Sequence, residues 1–228
     1  MKYIIILGDG MADQPLAAYG GKTPLQMANK PHIDDLARRG RSGMLDTIPE
    51  GMHPGSEIAN LSVMGYDVPA VFEGRGVLEA ASMGVTLGDD DLALRCNLIC
   101  LQDEKIKNHS AGHISSEEAA ELIRFLDQKM GNERIRFYPG VSYRHLLVIK
   151  NGKKEMNCTP PHDVPGTPFR EVLINPQTTA AEETVRLLNY LILRSRFLLE
   201  DHPVNVARRI AGKDPANCIW PWSPGYRP

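Results

Sequence analysis

The chain opens with an unbroken apolar run at residues 3–7, YIIIL, which ends at the turn Gly8-Asp9-Gly10. Runs of this kind are typical of strands that are covered on both faces, as in a parallel sheet. Apolar spacing then predicts a helix over Pro31–Arg39, a second strand at 43–48, and a further helix that starts at Ser56. This alternation of strand and helix predicts α/β organisation for the first part of the chain.

A polar break, GDDD at 88–91, precedes a second part of the chain that is richer in strands. We place a domain junction at this break. Beyond it the pattern predicts a strand at 92–101, an amphipathic helix at 115–130, a strand over Arg144–Lys150 with a hairpin turn at Asn151-Gly152, and a helix at 180–199.

Asp9 stands where the first predicted strand ends, between two glycines that leave room for a ligand. Open α/β sheets bind ligands at the carboxyl ends of their strands, so Asp9 is a candidate ligand for a hard cation. An aspartate in an ordinary strand-to-helix turn explains the same position.

Ser56 follows the chain break Pro54-Gly55 and is predicted to cap the helix after it. Helix capping alone accounts for a lone serine there. The same position also points a hydroxyl toward free backbone N–H groups that can hold a phosphate, and a nearby metal ion can activate that hydroxyl. The combination of Ser56 with Asp9 therefore predicts metal-activated phosphoryl transfer.

The composition of the chain narrows the range of possible functions. The formal net charge is −2, and the sequence pI near 6.4 gives no electrostatic case for binding nucleic acid or a membrane surface. The first residues do not resemble a signal peptide, so we expect a cytoplasmic protein. The four cysteines show no metal-binding spacing and are predicted to be reduced packing residues.

Several motifs together resemble the archaeal-type cofactor-independent phosphoglycerate mutases of the alkaline phosphatase superfamily. They occur in the family's order along all 228 residues, which makes the resemblance more specific than any one motif. The matching segments are MKYIIILGDGMAD at 1–13, GKTPL at 21–25, PEGM at 49–52 with PGS at 54–56, GRG at 74–76 with LEA at 78–80, SAGHI at 110–114, PGVSYRH at 139–145, PPHD at 160–163, DHPVN at 201–205 and PAN at 215–217.

The resemblance implies a partial alkaline-phosphatase-like parallel-sheet core with a smaller α+β substrate-binding domain inserted into it. On that basis residues 1–90 belong to the core, 91–212 to the inserted domain, and 213–228 return to the core. The implied reaction interconverts 3- and 2-phosphoglycerate in glycolysis and gluconeogenesis. It requires no bisphosphoglycerate and no nucleotide.

The resemblance also implies two divalent metal ions, Mn²⁺ or Mg²⁺. Asp9 resembles the family's metal-bridging aspartate, and Ser56 resembles the metal-bound serine that is transiently phosphorylated. Most of the family's other metal ligands come from a C-terminal half that has no counterpart in these 228 residues. We therefore expect a truncated chain with half an active site, which can be inactive by itself.

A phosphoglycerate carries a phosphate and a carboxylate, so its pocket requires arginines, with histidine or aspartate beside its free hydroxyl. Lone arginines are usually solvated, and lone histidines are more often structural, so the motifs decide the choice. The predicted substrate-binding residues are Arg75, Arg95, His113, Arg144, His145, His162 and Asp163.

Two alternatives stay open. The chain could be a phosphotransferase for another small hydroxy acid, such as the relatives proposed to be homoserine kinases, although it has no nucleotide-binding glycine loop. It could also be a non-catalytic remnant that binds anions. The sequence does not fix the oligomeric state.

Overall fold

A computed structural model describes residues 1–228, which divide into two compact units, residues 1–46 and residues 47–228. In the first unit a 3₁₀ turn at Ala17–Tyr19 precedes two helices, α1 (Pro24–Met27) and α2 (Pro31–Arg39). Thr23 and Gln26 exchange side-chain and backbone hydrogen bonds in a capping box that starts α1. Helix α2 has the bounds that its apolar spacing predicts.

The two strands predicted in the first part of the chain are wrong. Residues 3–7 form no strand, and their side chains are 57–86% exposed; residues 43–48 form no strand either. A strand requires a hydrogen-bonded neighbour, and neither segment has one in this structure. The predicted parallel sheet is therefore not present, because every strand pair is antiparallel.

Three helices open the second unit: α3 (Ser56–Val63), α4 (Val68–Val71) and α5 (Arg75–Met83). Gly55, in an extended conformation, occupies the N-cap position of α3, so Ser56 is the first helical residue rather than the cap. The prediction differs by one residue because a serine at either position has the same sequence signature.

A five-stranded antiparallel sheet forms the centre of the second unit, with strand order β2-β1-β4-β3 and β7 paired to β1. A separate two-stranded ribbon joins β5 to β6. The strands are β1 (Asp91–Gln102), β2 (Lys105–Asn108), β3 (Ile135–Tyr138), β4 (Arg144–Lys150), β5 (Met156–Asn157), β6 (Asn175–Pro176) and β7 (Cys218–Gly225).

Helices cover both faces of this sheet. On one face α6 (Ser116–Met130) and α7 (Glu182–Leu199) pack their apolar stripes against β1 residues such as Leu94 and Leu98. On the other face α5 packs on Ala93, and a Cβ at Gly76 would overlap the Ala93 carbonyl group. The predictions for α6, α7, β1 and β4 are confirmed. A short helix α8 (Pro203–Ile210) follows α7.

The segment after residue 213 forms strand β7, although it contains Pro221 and Pro224. Seven residues of β1 pair with it, and the Asn217 side chain extends the pairing by donating to and accepting from the Leu101 backbone. A turn is present at Asn151, whose φ is 55°, but the predicted hairpin is wrong because β4 pairs only with β1 and β3.

His145 lies on β4 opposite Cys96 and is completely buried in the structure. Its Nδ1 accepts a hydrogen bond of 3.0 Å from the Gly140 N–H, while its Nε2 has no partner. Burial lowers the pKa of this imidazole to about 3, so His145 is a neutral residue that secures the 139–142 loop.

The four cysteines are free; three of them are buried, and Cys158 is half-buried. Their packing agrees with the role predicted from the sequence. None of the helices is both long and apolar enough to cross a membrane.

The buried His145 predicts a pH dependence of stability. The pKa of His145 in the folded protein lies below its unfolded value of 6.5. Its contribution to the free energy of unfolding is therefore complete above pH 6.5 and is lost as the pH falls toward about 3. The loss amounts to at most about 1.4 kcal/mol per pH unit. The variant His145→Asn keeps an acceptor for the Gly140 N–H but does not titrate.

Urea unfolding at pH 7 and pH 5 tests this expectation. Between these two pH values the wild-type protein should lose about 2 kcal/mol more stability than His145→Asn loses. The exposed His32, changed to Asn, is the matched control and should behave like the wild type. Equal pH dependence in all three proteins would contradict the assignment.

Candidate anion-binding site

The alternation of side chains along β1 directs Arg95 and Asn97 to the sheet face that carries α5. Trp222 of β7 pairs directly with Arg95 and is 5% exposed. The indole Nε1 of Trp222 donates a 3.1 Å hydrogen bond to Asn97 Oδ1. The Asn97 amide in turn donates to the carbonyl oxygen of His109. These bonds fix Trp222 at the centre of the site.

Two guanidinium groups lie over the Trp222 ring. The Cζ atoms of Arg75 and Arg95 are 5.1 Å and 5.2 Å from the ring centroid, within the range of cation–π attraction. Arg75 comes from the first turn of α5, and Arg95 comes from β1. Both arginines belong to the set predicted from the sequence, and the structure brings them together on one aromatic surface.

The two arginines differ in how they are neutralised. Arg75 forms an ion pair of 2.5 Å with Glu57, the residue after Ser56. Arg95 is 3.6 Å from Glu79 and makes no side-chain hydrogen bond; its Nε is buried without a partner. Burial is also the main reason that the pKa of Arg95 is lowered. Arg95 is therefore the cation that has the most to gain from an incoming anion.

The pKa of Glu57 is affected by the same two arginines. Burial acts to raise this pKa, but the hydrogen bond from Arg75 and the positive charges of Arg75 and Arg95 lower it below its ordinary value. Glu57 is thus a carboxylate at neutral pH. It connects the start of α3 to the arginine pair.

Histidines line one side of Trp222. The His162 ring is 5.4 Å from the Trp222 ring and 5.8 Å from the His109 ring, measured between centroids. Tyr143 contacts the rings of both His109 and His113. Burial lowers the pKa of His109, and the neighbouring His162, His113 and Arg95 lower it further. His109 is therefore mostly neutral at pH 7.

The loop that carries His109 and His113 has an unusual backbone. Ala111, Gly112 and His113 have φ values of 48°, 64° and 53°, in the left-handed region that non-glycine residues rarely adopt. Asn108 accepts hydrogen bonds from the Ser110 and Gly112 amides, and the buried guanidinium of Arg208 donates to the Ala111 carbonyl. These bonds hold the strained loop against the sheet.

A cavity of about 400 Å³ adjoins the aromatic centre. Its wall includes Glu57, Cys158, Asp163 and Trp222. The carboxylate of Asp163 lies 3.6 Å from His162 Nε2, which places a negative group at the edge of the cationic cluster. The volume is sufficient for a three-carbon phosphate ester, and the cavity meets the arginine pair only through Glu57 and Trp222, since neither arginine lines it.

Arg144 lies next to Asn97 across the β1–β4 pair and lines a second cavity of about 510 Å³ with Glu79. His145 is not part of the site, because it lies on the opposite sheet face. Ser56 is exposed at the start of α3, one residue before Glu57. Asp9 is exposed in the first unit. The structure therefore brings together Arg75, Arg95, His113, His162 and Asp163, with Arg144 at their edge.

Sequence reasoning missed several members of this group. Side chains two residues apart in a strand lie on the same face, so the predicted strand 92–101 could have placed Asn97 beside Arg95. No local signal marks Trp222, because it reaches the site only through the pairing of β7 with β1. The site residues that were not predicted are Glu57, Glu79, Asn97, His109, Tyr143 and Trp222.

The family model described as 2,3-bisphosphoglycerate-independent phosphoglycerate mutase matches residues 37–205, about three quarters of the chain. The chain belongs to this family.

Relatives support the assignment. A mutase of this type from Methanosarcina barkeri is 50% identical over the whole chain, and a probable one from Geobacter sulfurreducens is also 50% identical. The solved cofactor-independent phosphoglycerate mutase of Thermoplasma acidophilum matches 96% of the chain at 27% identity with a TM-score of 0.61. The chain spans 56–57% of the length of these three relatives.

A two-metal centre does not fit the residues of this mutase-family chain as they stand. No group of three or more histidine, cysteine, aspartate or glutamate side chains lies close enough to hold a metal ion. Asp9 and Ser56 alone offer too few ligands for two ions. The metal-binding role of these two residues therefore stays a prediction from the resemblance.

The stacking on Trp222 can be tested by arginine modification. We expect Trp222→Leu to raise the rate at which phenylglyoxal modifies Arg75 and Arg95 by about 3- to 10-fold, because each loses a cation–π contact. Trp222→Phe keeps an aromatic face and should retain most of the protection. Peptide mass spectrometry gives the rate at each arginine.

Arg208 is the internal control in the same samples. It is 3% exposed and hydrogen-bonded to Glu118, Ala111 and Asp214, so its rate rises only if the whole unit loosens. Unchanged rates at Arg75 and Arg95 in Trp222→Leu would disprove the role given to the indole.

Proposed function

We propose that this chain provides the phosphoglycerate-binding part of a 2,3-bisphosphoglycerate-independent phosphoglycerate mutase. The observation that carries the proposal is Arg95, a buried guanidinium without a hydrogen bond, beside a second arginine on the same indole. The reaction is inferred from the names of the relatives, and the arginine pair provides a site with a charge suited to the substrate. The substrate is a small phosphorylated hydroxy acid.

In this proposal Arg95 receives the first anionic group of the substrate, because its charge is the less neutralised of the two. Arg75 is already paired with Glu57, so it contributes through its positive field and through the position of α5. His162 and the neutral His109 can exchange hydrogen bonds with oxygen atoms of the substrate. Arg144 and Asp163 stand at the rim, where they can contact the second anionic group and the free hydroxyl.

Ser56 is the proposed phosphoryl acceptor. Its hydroxyl lies at the start of α3, where the first intrahelical hydrogen bond runs from Ala59 N–H to the Gly55 carbonyl and leaves the earlier amides free. The phosphoryl group would pass from the 3-oxygen of glycerate to Ser56 Oγ, and then to the 2-oxygen. In the first transfer the bond from phosphorus to the 3-oxygen breaks, and the serine proton ends on that oxygen. In the second transfer the 2-hydroxyl gives up its proton and the serine oxygen regains one.

A second candidate function is anion binding without turnover. It rests on the same arginine pair and requires no reaction at Ser56. Phosphorylation at Ser56 separates the two functions.

Removing the Arg95 charge should weaken substrate binding. For Arg95→Gln we expect the dissociation constant of 3-phosphoglycerate to rise about 10- to 100-fold, the usual cost of a charge-assisted hydrogen bond in a desolvated site. Isothermal titration calorimetry measures the constant. Arg124→Gln changes an exposed arginine on α6 and is the matched control. Equal affinity of both variants would remove Arg95 from the proposed pocket.

The acceptor role predicts a phosphoserine at one position. Incubation with labelled 3-phosphoglycerate should phosphorylate the wild type and Ser62→Ala, whose change lies in the same helix, but not Ser56→Ala. Peptide mass spectrometry locates the phosphate. Label that persists in Ser56→Ala would refute the role of Ser56, and a wild type that binds substrate but takes no label would favour the binding module.

A further inference from the structure

The outer face of α7 carries an apolar stripe that is largely exposed to solvent. Tyr190, Leu193 and Phe197 are 58%, 38% and 73% exposed, and they follow one another at helical spacing. The helix buries its opposite face, which includes Leu188, in the main core. Helix α7 is therefore apolar on two opposite sides. On the outer side the Arg194 guanidinium lies 4.9 Å from the Phe197 ring centroid, and the three apolar side chains stay exposed.

Charged residues stand at the two ends of this stripe. Arg186 lies one turn before Tyr190 and Glu200 lies one turn after Phe197; their side chains are 71% and 59% exposed. Arg186 contacts Glu182 at 3.4 Å and Glu200 contacts Arg209 at 3.5 Å, both long and solvent-exposed ion pairs. Such pairs contribute little and exchange partners easily.

The order of residues along this stripe is complementary to the same stripe on a second copy of α7 that runs in the opposite direction. When two copies of α7 lie antiparallel with Leu193 on a two-fold axis, Arg186 of each copy meets Glu200 of the other, and Tyr190 meets Phe197. Opposite charges then face each other at both ends, and aromatic side chains pack together between them. A parallel arrangement would place like charges together. The charges at the two ends thus fit a second copy of α7 and favour the antiparallel direction.

We propose that the outer face of α7 is a two-fold interface between two copies of this chain. A shallow groove beside the stripe, lined by Leu193, Arg196, Phe197, Leu198, Glu200 and Asp201, receives the aromatic side chains of the second copy. Helix α7 covers the sheet face opposite to Ala93 and Arg95, so the contact leaves the anion-binding site open. A contact between two helices is small for a specific interface, and the dimer therefore depends on protein concentration.

Sedimentation velocity of the 228-residue chain over a range of concentrations tests the interface. Leu193→Asp should raise the dissociation constant of the dimer at least about 30-fold, since it places a charge on the axis. Leu78→Asp is the matched control, because Leu78 is also a helical leucine, 39% exposed, on the opposite side of the sheet. It should dimerise like the wild type.

A charge exchange adds a test of the antiparallel direction. Arg186→Glu and Glu200→Arg should each weaken the dimer about tenfold, because each creates two like-charged contacts, and the double variant should restore the wild-type constant. Both residues are exposed, so the folded state tolerates the changes. Failure of the double variant to recover would overturn the proposed register.

Crosslinking locates the axis itself. Leu193→Cys should form a disulfide with its own counterpart under mild oxidation, whereas Leu78→Cys should not. The native cysteines give little background, because three are buried and Cys158 is only partly accessible. A chain that stays monomeric at all concentrations, or dimers that crosslink no faster at Leu193 than at Leu78, would overturn the proposal.

Discussion

The alternation of side chains along β1 is the constraint on which the second unit depends. This strand pairs with β2, β4 and β7, so it fixes the register of most of the sheet. Over residues 92–98 the even-numbered side chains, such as Leu94 and Leu98, build the main core, whereas Arg95 and Asn97 point to the other face. A shift of one residue would exchange the two sets, burying the guanidinium of Arg95 in the main core and exposing leucines to the site.

The site is maintained at an energetic cost that the core must offset. A buried guanidinium without hydrogen bonds is unfavourable, and attraction to the Trp222 ring and to Glu79 compensates only in part. The surroundings of Arg95 are fixed, because Trp222 is held by Asn97 and β1 is paired on both sides. In the proposed function, a cation already placed over the indole would bind an anion at a smaller cost in conformational entropy.

Short sequence patterns were sufficient to predict the helices and strands whose formation depends mainly on their own residues. The apolar spacing of Pro31–Arg39 and Glu182–Leu199, and the apolar run in Arg144–Lys150, predicted elements that the structure contains. Residues 3–7 have strand-like composition but lack a neighbour to pair with. Membership of the site depends on pairings across more than a hundred residues, as for Trp222 with Arg95, and no pattern within a short window contains that information.

The two prolines of β7 have a consequence for the edge of the sheet. Strand β7 pairs only with β1, so no strand is hydrogen-bonded along its other side. Strand edges of this kind are where foreign strands add and amyloid grows. Pro221 and Pro224 have no N–H group to offer an incoming strand, and they interrupt the row of donors that such growth requires. The same residues that obscure β7 in the sequence thus protect the folded sheet from edge-to-edge aggregation.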